Sequence, residues 1–184
     1  MQFDSRHPAN AALVVRAALG DAASLDRLLR LIQQPLLEHI TFVVGDADDA
    51  SDVLQDVLLT VCRSLIGLHD PTLFRAWLFR IATRAAVRSL RRSRGTTDIT
   101  IDAAADLATP EVGEHTFDAE LVAALPALVS ELPPACGLVV RLRYLEQLSL
   151  TEVAEALDVP VGTVKSRAAY GIDLLRRRLS PSPR

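Results

Sequence analysis

Apolar side chains recur at steps of three and four residues along most of the chain, which is the spacing of amphipathic α-helices. Alanine, leucine and valine dominate, and runs of residues that favour strands are scarce. The pattern therefore predicts an all-α fold. The predicted helices cover residues 10–19, 21–31, 46–65, 72–92, 120–131 and 135–145, followed by a final pair. After residue 31, Pro35 is expected to interrupt or restart the helical pattern, which then continues to Val44.

That final pair consists of two helices joined by a tight turn, and its recognisable part is residues 149–167. Ser149 and Glu152 have the spacing of a capping box, and Pro160 suits the first turn of the second helix. This arrangement is typical of a helix-turn-helix, whose second helix enters the major groove of DNA. A helical hairpin inside a packed bundle is the alternative. The apolar stripe of the second helix is expected at Val161, Val164, Ala168, Ile172 and Leu175, with Thr163, Lys165, Ser166 and Arg167 largely off it.

Three carboxylates share one outer face of the predicted helix at 46–65, because Asp49, Asp52 and Asp56 are three or four residues apart. Like charges at this spacing repel by a few tenths of a kcal/mol per pair. A purely structural helix gains nothing from that repulsion, so the pattern favours a basic protein partner. The alternative is a face that only keeps the protein soluble, in which carboxylates near the start of the helix interact favourably with the helix dipole.

A row of arginines follows on the helix at 72–92, with one at every fourth position and no acid anywhere in residues 71–94. Trp77 lies one turn before the row. Guanidinium groups beside an aromatic ring suit contact with phosphate and stacking on bases. The row therefore indicates a nucleic-acid partner, and a solvated face with Trp77 in the core is the alternative. The row consists of Arg80, Arg84, Arg88 and Arg92, with Arg91 adjacent.

Residues 95–118 are acidic and poor in large apolar side chains, which predicts a flexible linker between two small domains. We expect domains at 1–94 and 119–184. A short extended piece at Ile99 and Ile101 is an alternative for part of the linker.

Several classes of protein are not favoured by the remaining composition. The 184 residues carry a net charge of −3, and no apolar run approaches the length of a membrane span or a signal peptide, so a cytoplasmic protein is expected. Cys62 and Cys136 are expected as small core residues, and the four histidines show no metal-ligand spacing. No nucleophile, acid–base pair or phosphate loop is found, so we expect no enzyme, metal or cofactor.

Two blocks of the chain resemble bacterial sigma factors of the extracytoplasmic-function (ECF) group. They are DADDASDVLQDVLLTV followed by LFRAWLFRIATRAAVRSLRRSR, within residues 46–94, and LPPACGLVVRLRYLEQLSLTEVAEALDVPVGTVKSR, residues 132–167. The resemblance implies a region 2-like helical bundle and a region 4-like helix-turn-helix. It also implies two partners, core RNA polymerase and promoter DNA. Many members are held inactive by an anti-sigma protein, so one is expected here.

The resemblance assigns roles by position. The polymerase-docking residues are expected at Asp49, Asp52, Gln55 and Asp56. The residues that capture and open the −10 element are expected at His69, Asp70, Trp77, Arg80, Arg84, Arg88, Arg91 and Arg92. The residues that read the −35 element are expected at Gly162, Thr163, Lys165, Ser166 and Arg167.

Some positions depart from the family pattern. Arg84 and Arg88 stand where Asn and Asp are usual, and Cys62 stands where an aromatic is common. Residues 168–173 lack the usual basic side chains, and Gly171 is expected to weaken its helix.

Two rival hypotheses follow: a sigma-like protein-binding regulator that no longer opens promoters, and a helix-turn-helix repressor that acts without polymerase.

Overall fold

The computed structural model describes residues 7–94 and 125–179, and all regular secondary structure in these ranges is helical. The chain separates into two compact units, with the division between Thr96 and Thr97. The prediction of an all-α protein with two small helical domains is therefore confirmed. The predicted linker at 95–118, with its extended alternative, and the predicted helix start at 120–124 lie outside the described residues.

The described part of the first unit, residues 7–94, contains four helices, and short acidic side chains cap the starts of two of them. The Asp21 carboxylate accepts the Ser24 N–H at the start of the second helix, and Asp46 accepts the N–H groups of Asp48 and Asp49 at the start of the third. Gly45, with φ +87°, ends the second helix in the left-handed conformation. The helices are α1 (Pro8–Ala18), α2 (Ala22–Val44), α3 (Ala47–Ser64) and α4 (Phe74–Arg94), with 3₁₀ turns at Leu65–Gly67 and Pro71–Leu73.

Helix α2 is the centre of this unit and packs against α1, α3 and α4. Pro35 lies inside it, so the predicted interruption at this proline is wrong. An internal proline costs roughly 3 kcal/mol of helix stability. Packing offsets that cost, because Leu28, Ile32, Leu36 and Ile40 continue across the proline and are at most 2% exposed.

One polar pair joins α2 to α4 inside this apolar core. His39 is fully buried, its Nε2 lies 2.8 Å from the hydroxyl oxygen of Thr83, and its ring meets Phe79 edge-on. A buried polar group is costly unless it is hydrogen-bonded, so this pair fixes the register of the two helices.

Within residues 125–179, the second unit has a helical segment at 125–128, a 3₁₀ turn at Val129–Glu131 and then three further helices. The helix predicted at 135–145 ends as a π-helical turn, Arg141–Leu145. The buried guanidinium of Arg141 lies 3.6 Å from the buried carboxylate of Glu146 and ties this turn together. The helices are α5 (Pro134–Val140), α6 (Leu150–Leu157) and α7 (Val161–Leu179).

Helix α7 runs unbroken through Gly171, which is buried against α5. A Cβ at this position would lie 2.8 Å from Cγ2 of Val140 and 3.5 Å from Cβ of Cys136. Ala168 and Ala169 are also buried. The expected weakening at Gly171 is therefore outweighed, because small residues here let two helices approach closely. Because part of segment 168–173 is buried in this contact, the packing explains in part why the segment lacks the usual basic side chains.

We expect Gly171→Ala to destabilise the second unit by about 1 kcal/mol, because overpacking costs about 1–3 kcal/mol and the gain in helix propensity is only about 1 kcal/mol. Hydrogen exchange of α7 peptides, followed by mass spectrometry, measures the change. Gly162→Ala is the matched control, since open space surrounds that glycine. If Gly171→Ala slowed exchange as Gly162→Ala should, the close approach would not matter for stability.

Candidate functional site

The outer face of α3 presents the predicted acidic residues to solvent. Asp49, Asp52, Gln55 and Asp56 are all exposed. The opposite side of the helix supplies core residues, at most 6% exposed, which are Ala50, Val53, Leu54, Val57 and Val61. Asp49 lies in the first turn, where the helix dipole favours a carboxylate, but Asp52 and Asp56 lie beyond that turn. The structure thus brings the four residues together on one accessible surface, which we call the acidic face.

The two cysteines differ in position. Cys136 is buried in α5, and burial raises the pKa of its thiol. Cys62 is exposed on α3, so the prediction that it is a core residue is wrong. Its neighbour Val61 takes the buried position in the helical repeat, which turns Cys62 outward.

The arginines of α4 form a second exposed surface, which we call the arginine face. Arg84, Arg88, Arg91 and Arg92 are exposed, and Arg80 is half-buried. Leu78, Ala82, Ala86 and Leu90 face the core on the other side. Near the start of α4, the guanidinium of Arg75 lies 5.5 Å from the centre of the Phe79 ring.

Trp77 is half-buried, so it fits neither a purely core nor a fully exposed position. Its ring lies 5.8 Å from that of Phe74, tilted by 37°. Because Trp77 precedes Arg84 by two helical turns, it lies on the side of the arginine face. One surface of α4 therefore offers guanidinium groups and part of an indole ring.

The loop before α4 holds the exposed residues His69 and Asp70. The Asp70 carboxylate accepts the Thr72 N–H at 2.8 Å and the Thr72 hydroxyl at 2.6 Å. These bonds from Thr72 lower the pKa of Asp70. Asp70 thus stays ionised and shapes the turn that starts α4.

Helices α6 and α7 form the predicted helix-turn-helix. The Ser149 hydroxyl oxygen accepts the Glu152 N–H at 3.2 Å, and the Glu152 carboxylate accepts the Ser149 N–H at 2.6 Å, which confirms the capping box. Asp158, with φ +57°, ends α6 in the left-handed conformation. The buried residues Val164, Ala168, Ile172 and Leu175 confirm most of the apolar stripe of α7.

The residues of α7 that were predicted to read the −35 element differ in their solvent exposure. Gly162 and Lys165 are exposed, while Thr163 and Ser166 are half-buried. The Ser166 hydroxyl donates to the Thr163 carbonyl at 3.0 Å. Val161 is 37% exposed, so it does not belong to the apolar stripe.

Arg167 requires a correction, because it is only 1% exposed and cannot reach a base edge from this position. It lies on the inner side of α7, three residues after Val164 and four before Gly171. Its charge lowers the pKa of the buried Cys136 thiol, a smaller effect than the burial that raises it. Arg167 therefore belongs to the packing of α7 on α5.

The sequence analysis did not include Tyr170 among the candidate site residues. Its spacing from Thr163 and Ser166 could have placed it on the same side of the helix. It lies seven residues after Thr163 and four after Ser166, on the same outer side of α7. It is half-buried, so part of its ring is accessible. Gly162, Thr163, Lys165, Ser166 and Tyr170 are accessible side chains or backbone in the first half of α7, and we call them the α7 face.

Within the described residues, the side chains form no cluster of three or more histidine, cysteine or acidic residues that could hold a metal ion. The described helices also include none with the length and hydropathy needed to cross a bilayer.

Two family models match this chain. Sigma-70 region 2 matches residues 28–96, which include the acidic and arginine faces, and Sigma-70 region 4 matches residues 128–177, which include the helix-turn-helix.

Two relatives match this chain over most of its length. The ECF RNA polymerase sigma factor SigW of Bacillus subtilis is 26% identical over 87% of this chain and 91% of its own length. The RNA polymerase sigma-H factor of Pseudomonas aeruginosa is 29% identical over 92% and 93%, respectively. A solved structure of CnrH, in complex with the cytosolic domain of CnrY, has the same fold. It has a TM-score of 0.59 and 23% identity, and it covers 91% of this chain and 95% of CnrH. The chain is therefore an RNA polymerase sigma factor of the sigma-70 family and belongs to its ECF group.

Proposed function

We propose that this sigma factor docks on core RNA polymerase through the acidic face of α3 and contacts promoter DNA through the arginine face of α4 and the α7 face. It acts as a non-catalytic subunit that selects promoters. The observation that carries the proposal is the separation of charge in the first unit. Exposed carboxylates occupy α3, exposed guanidinium groups occupy α4, and both helices are fixed on α2.

The acidic face suits a basic surface on core polymerase. Repulsion among its carboxylates costs a few tenths of a kcal/mol per pair in the free protein, and a basic partner would relieve it. Complementary charge also speeds association and selects against acidic surfaces.

The arginine face suits the −10 element. Phosphates would neutralise its exposed guanidinium groups, and the accessible part of Trp77 supplies a surface on which an unstacked base can rest. Opening DNA requires a base to leave the stack at a cost of a few kcal/mol, so contacts of both kinds are needed. His69 and Asp70, in the loop before α4, lie close to it in sequence and complete the proposed contact region.

The α7 face suits the −35 element, but with little charge. Because Arg167 is buried, Lys165 is the exposed cation in its first turns. Gly162 leaves the helix start open for approach of the DNA backbone, and Thr163, Ser166 and Tyr170 offer hydroxyl groups. Recognition of the −35 element by the α7 face would therefore depend more on short-range contacts with base edges than on attraction to phosphates.

An anti-sigma protein is a further proposed partner. CnrH, which shares this fold, has been solved in complex with the cytosolic domain of CnrY. For the present chain, a protein that covered the acidic face would compete with core polymerase.

The test is run-off transcription with purified core polymerase on a library of genomic fragments, followed by sequencing of transcript starts. We expect transcripts that depend on the sigma factor and share two upstream elements. Core binding without transcripts would instead support the protein-binding regulator. Binding of duplex operators without affinity for core would support the repressor.

Arg88→Gln combined with Arg92→Gln should weaken promoter binding and lower the slope of log K against log salt by about 2, because each lost phosphate contact removes about one released ion. Filter binding of the holoenzyme across a salt series measures the slope. Arg30→Gln is the matched control, since Arg30 is exposed on α2 and pairs with Asp26. An unchanged slope in the double variant would remove these arginines from the DNA contact.

Lys165→Gln and Arg167→Ala should have different effects. Lys165→Gln should lower the salt slope of promoter binding by about 1 without changing stability. Arg167→Ala should destabilise the second unit by about 2–4 kcal/mol, because it leaves a gap between buried neighbours. Hydrogen exchange of α7 peptides measures the second effect. A stable Arg167→Ala variant with a lowered salt slope would restore Arg167 to the DNA surface.

A further inference from the structure

A groove of about 360 Å³ lies on the surface of the first unit, between α1 and the first half of α2. Apolar side chains form part of its lining. Leu13, which is 7% exposed, comes from α1, and Leu31, which is 42% exposed, comes from α2. None of the described residues that line the groove belongs to the acidic face or the arginine face. The groove is therefore a separate surface of the first unit.

Two exposed guanidinium groups also line this groove, Arg16 on α1 and Arg27 on α2. The lining includes the carboxylate of Asp21, which accepts the Ser24 N–H at the start of α2. Hydrogen bonds from Ser24, and to a smaller extent the charge of Arg16, lower the pKa of Asp21. Arg16 is thus partly balanced, whereas Arg27 forms no ion pair within the described residues. The groove keeps an excess of positive charge.

The shape and the charge of the groove favour the same kind of occupant. Its apolar lining would bury one large aliphatic or aromatic side chain, and its guanidinium groups would attract carboxylates beside that side chain. Small-molecule sites usually enclose most of the ligand, but Ala9 and Ala23 in this lining are exposed, so the groove is open to solvent. An open groove between two helices suits a peptide segment, which can bind along one side only.

We propose that the groove between α1 and α2 binds an acidic peptide segment of a regulatory protein other than core polymerase. One large apolar side chain of the segment packs against Leu13 and Leu31, and flanking carboxylates pair with Arg16 and Arg27. The acidic and arginine faces lie on other helices, so a segment bound in the groove need not displace polymerase or DNA.

Occupation of the groove has a route to the promoter-binding part of the unit. Helix α1 packs against the two 3₁₀ turns, Leu65–Gly67 and Pro71–Leu73, that flank the loop with His69 and Asp70. A segment that holds α1 against α2 would therefore stabilise the support of this loop.

The probe is a displayed library of random short peptides, selected on the full chain at low salt. The enriched peptides should carry carboxylates on both sides of one large apolar residue. Arg16→Gln combined with Arg27→Gln should weaken binding of the most enriched peptide about tenfold, because both flanking ion pairs are lost. Fluorescence anisotropy of the labelled peptide measures the Kd. Arg30→Gln is the matched control, since Arg30 is exposed on α2 and already pairs with Asp26.

The apolar part of the groove is tested separately. Leu31→Gln should weaken binding about fivefold at low and high salt alike, because burial of apolar surface is not screened by ions. Leu19→Gln is the matched control, since Leu19 is 82% exposed and does not line the groove. Hydrogen exchange followed by mass spectrometry should show that the bound peptide protects segments 9–16 and 21–31.

Several outcomes would overturn the inference. One is a selection that enriches no acidic peptide, and another is equal binding of the enriched peptide by the wild type and the Arg16/Arg27 variant. Protection confined to α4 would assign acidic peptides to the arginine face. Self-association that is lost in the Arg16/Arg27 variant would assign the groove to a second copy of the chain. Loss of core binding in that variant would make the groove part of the polymerase contact. Failure of peptide binding alone would leave the proposed function unaffected.

Discussion

Packing on α2 is the constraint on which both charged surfaces of the first unit depend. Because α3 and α4 each turn an aliphatic side toward α2, their polar sides are forced outward. The carboxylates and the arginines therefore cannot rotate toward one another without exposing the core. The buried contact between His39 and Thr83 adds a polar constraint to the same interface, so α4 is fixed in register as well as in orientation.

The second unit resolves a conflict between packing and charge. Helix α7 must lie close to α5 to hold its first turns in place, and Gly171 provides the room for that approach. The same requirement places small residues at 168 and 169 and takes Arg167 into the interior. Positive charge in the first turns of α7 is thus reduced, while the position of the helix is fixed more firmly.

The features that sequence could predict were local ones. The starts of α2, α3 and α6 follow from side-chain caps within three residues of the helix start, and such signals need no tertiary context. Pro35, Cys62, Val161 and Arg167 could not be placed in this way, because their positions depend on which side of a helix meets a neighbour. The sequence pattern of α7 predicts a narrow apolar stripe and places Arg167 outside it. In the structure the buried side of α7 is wider and includes Arg167. The roles of the acidic, arginine and α7 faces in binding are a further step, which the geometry supports.

The small charge of the α7 face has a consequence for how promoter choice would be divided between the units. Electrostatic attraction to phosphate is independent of sequence, so a surface with few cations contributes little to nonspecific binding. Contacts to base edges, by contrast, lose about 1–3 kcal/mol at a wrong base. Since the first unit and core polymerase would hold the complex near the DNA, the second unit binds at a high effective concentration and needs little affinity of its own. A weakly charged α7 face would thus add discrimination at the −35 element without retaining the holoenzyme on unrelated DNA.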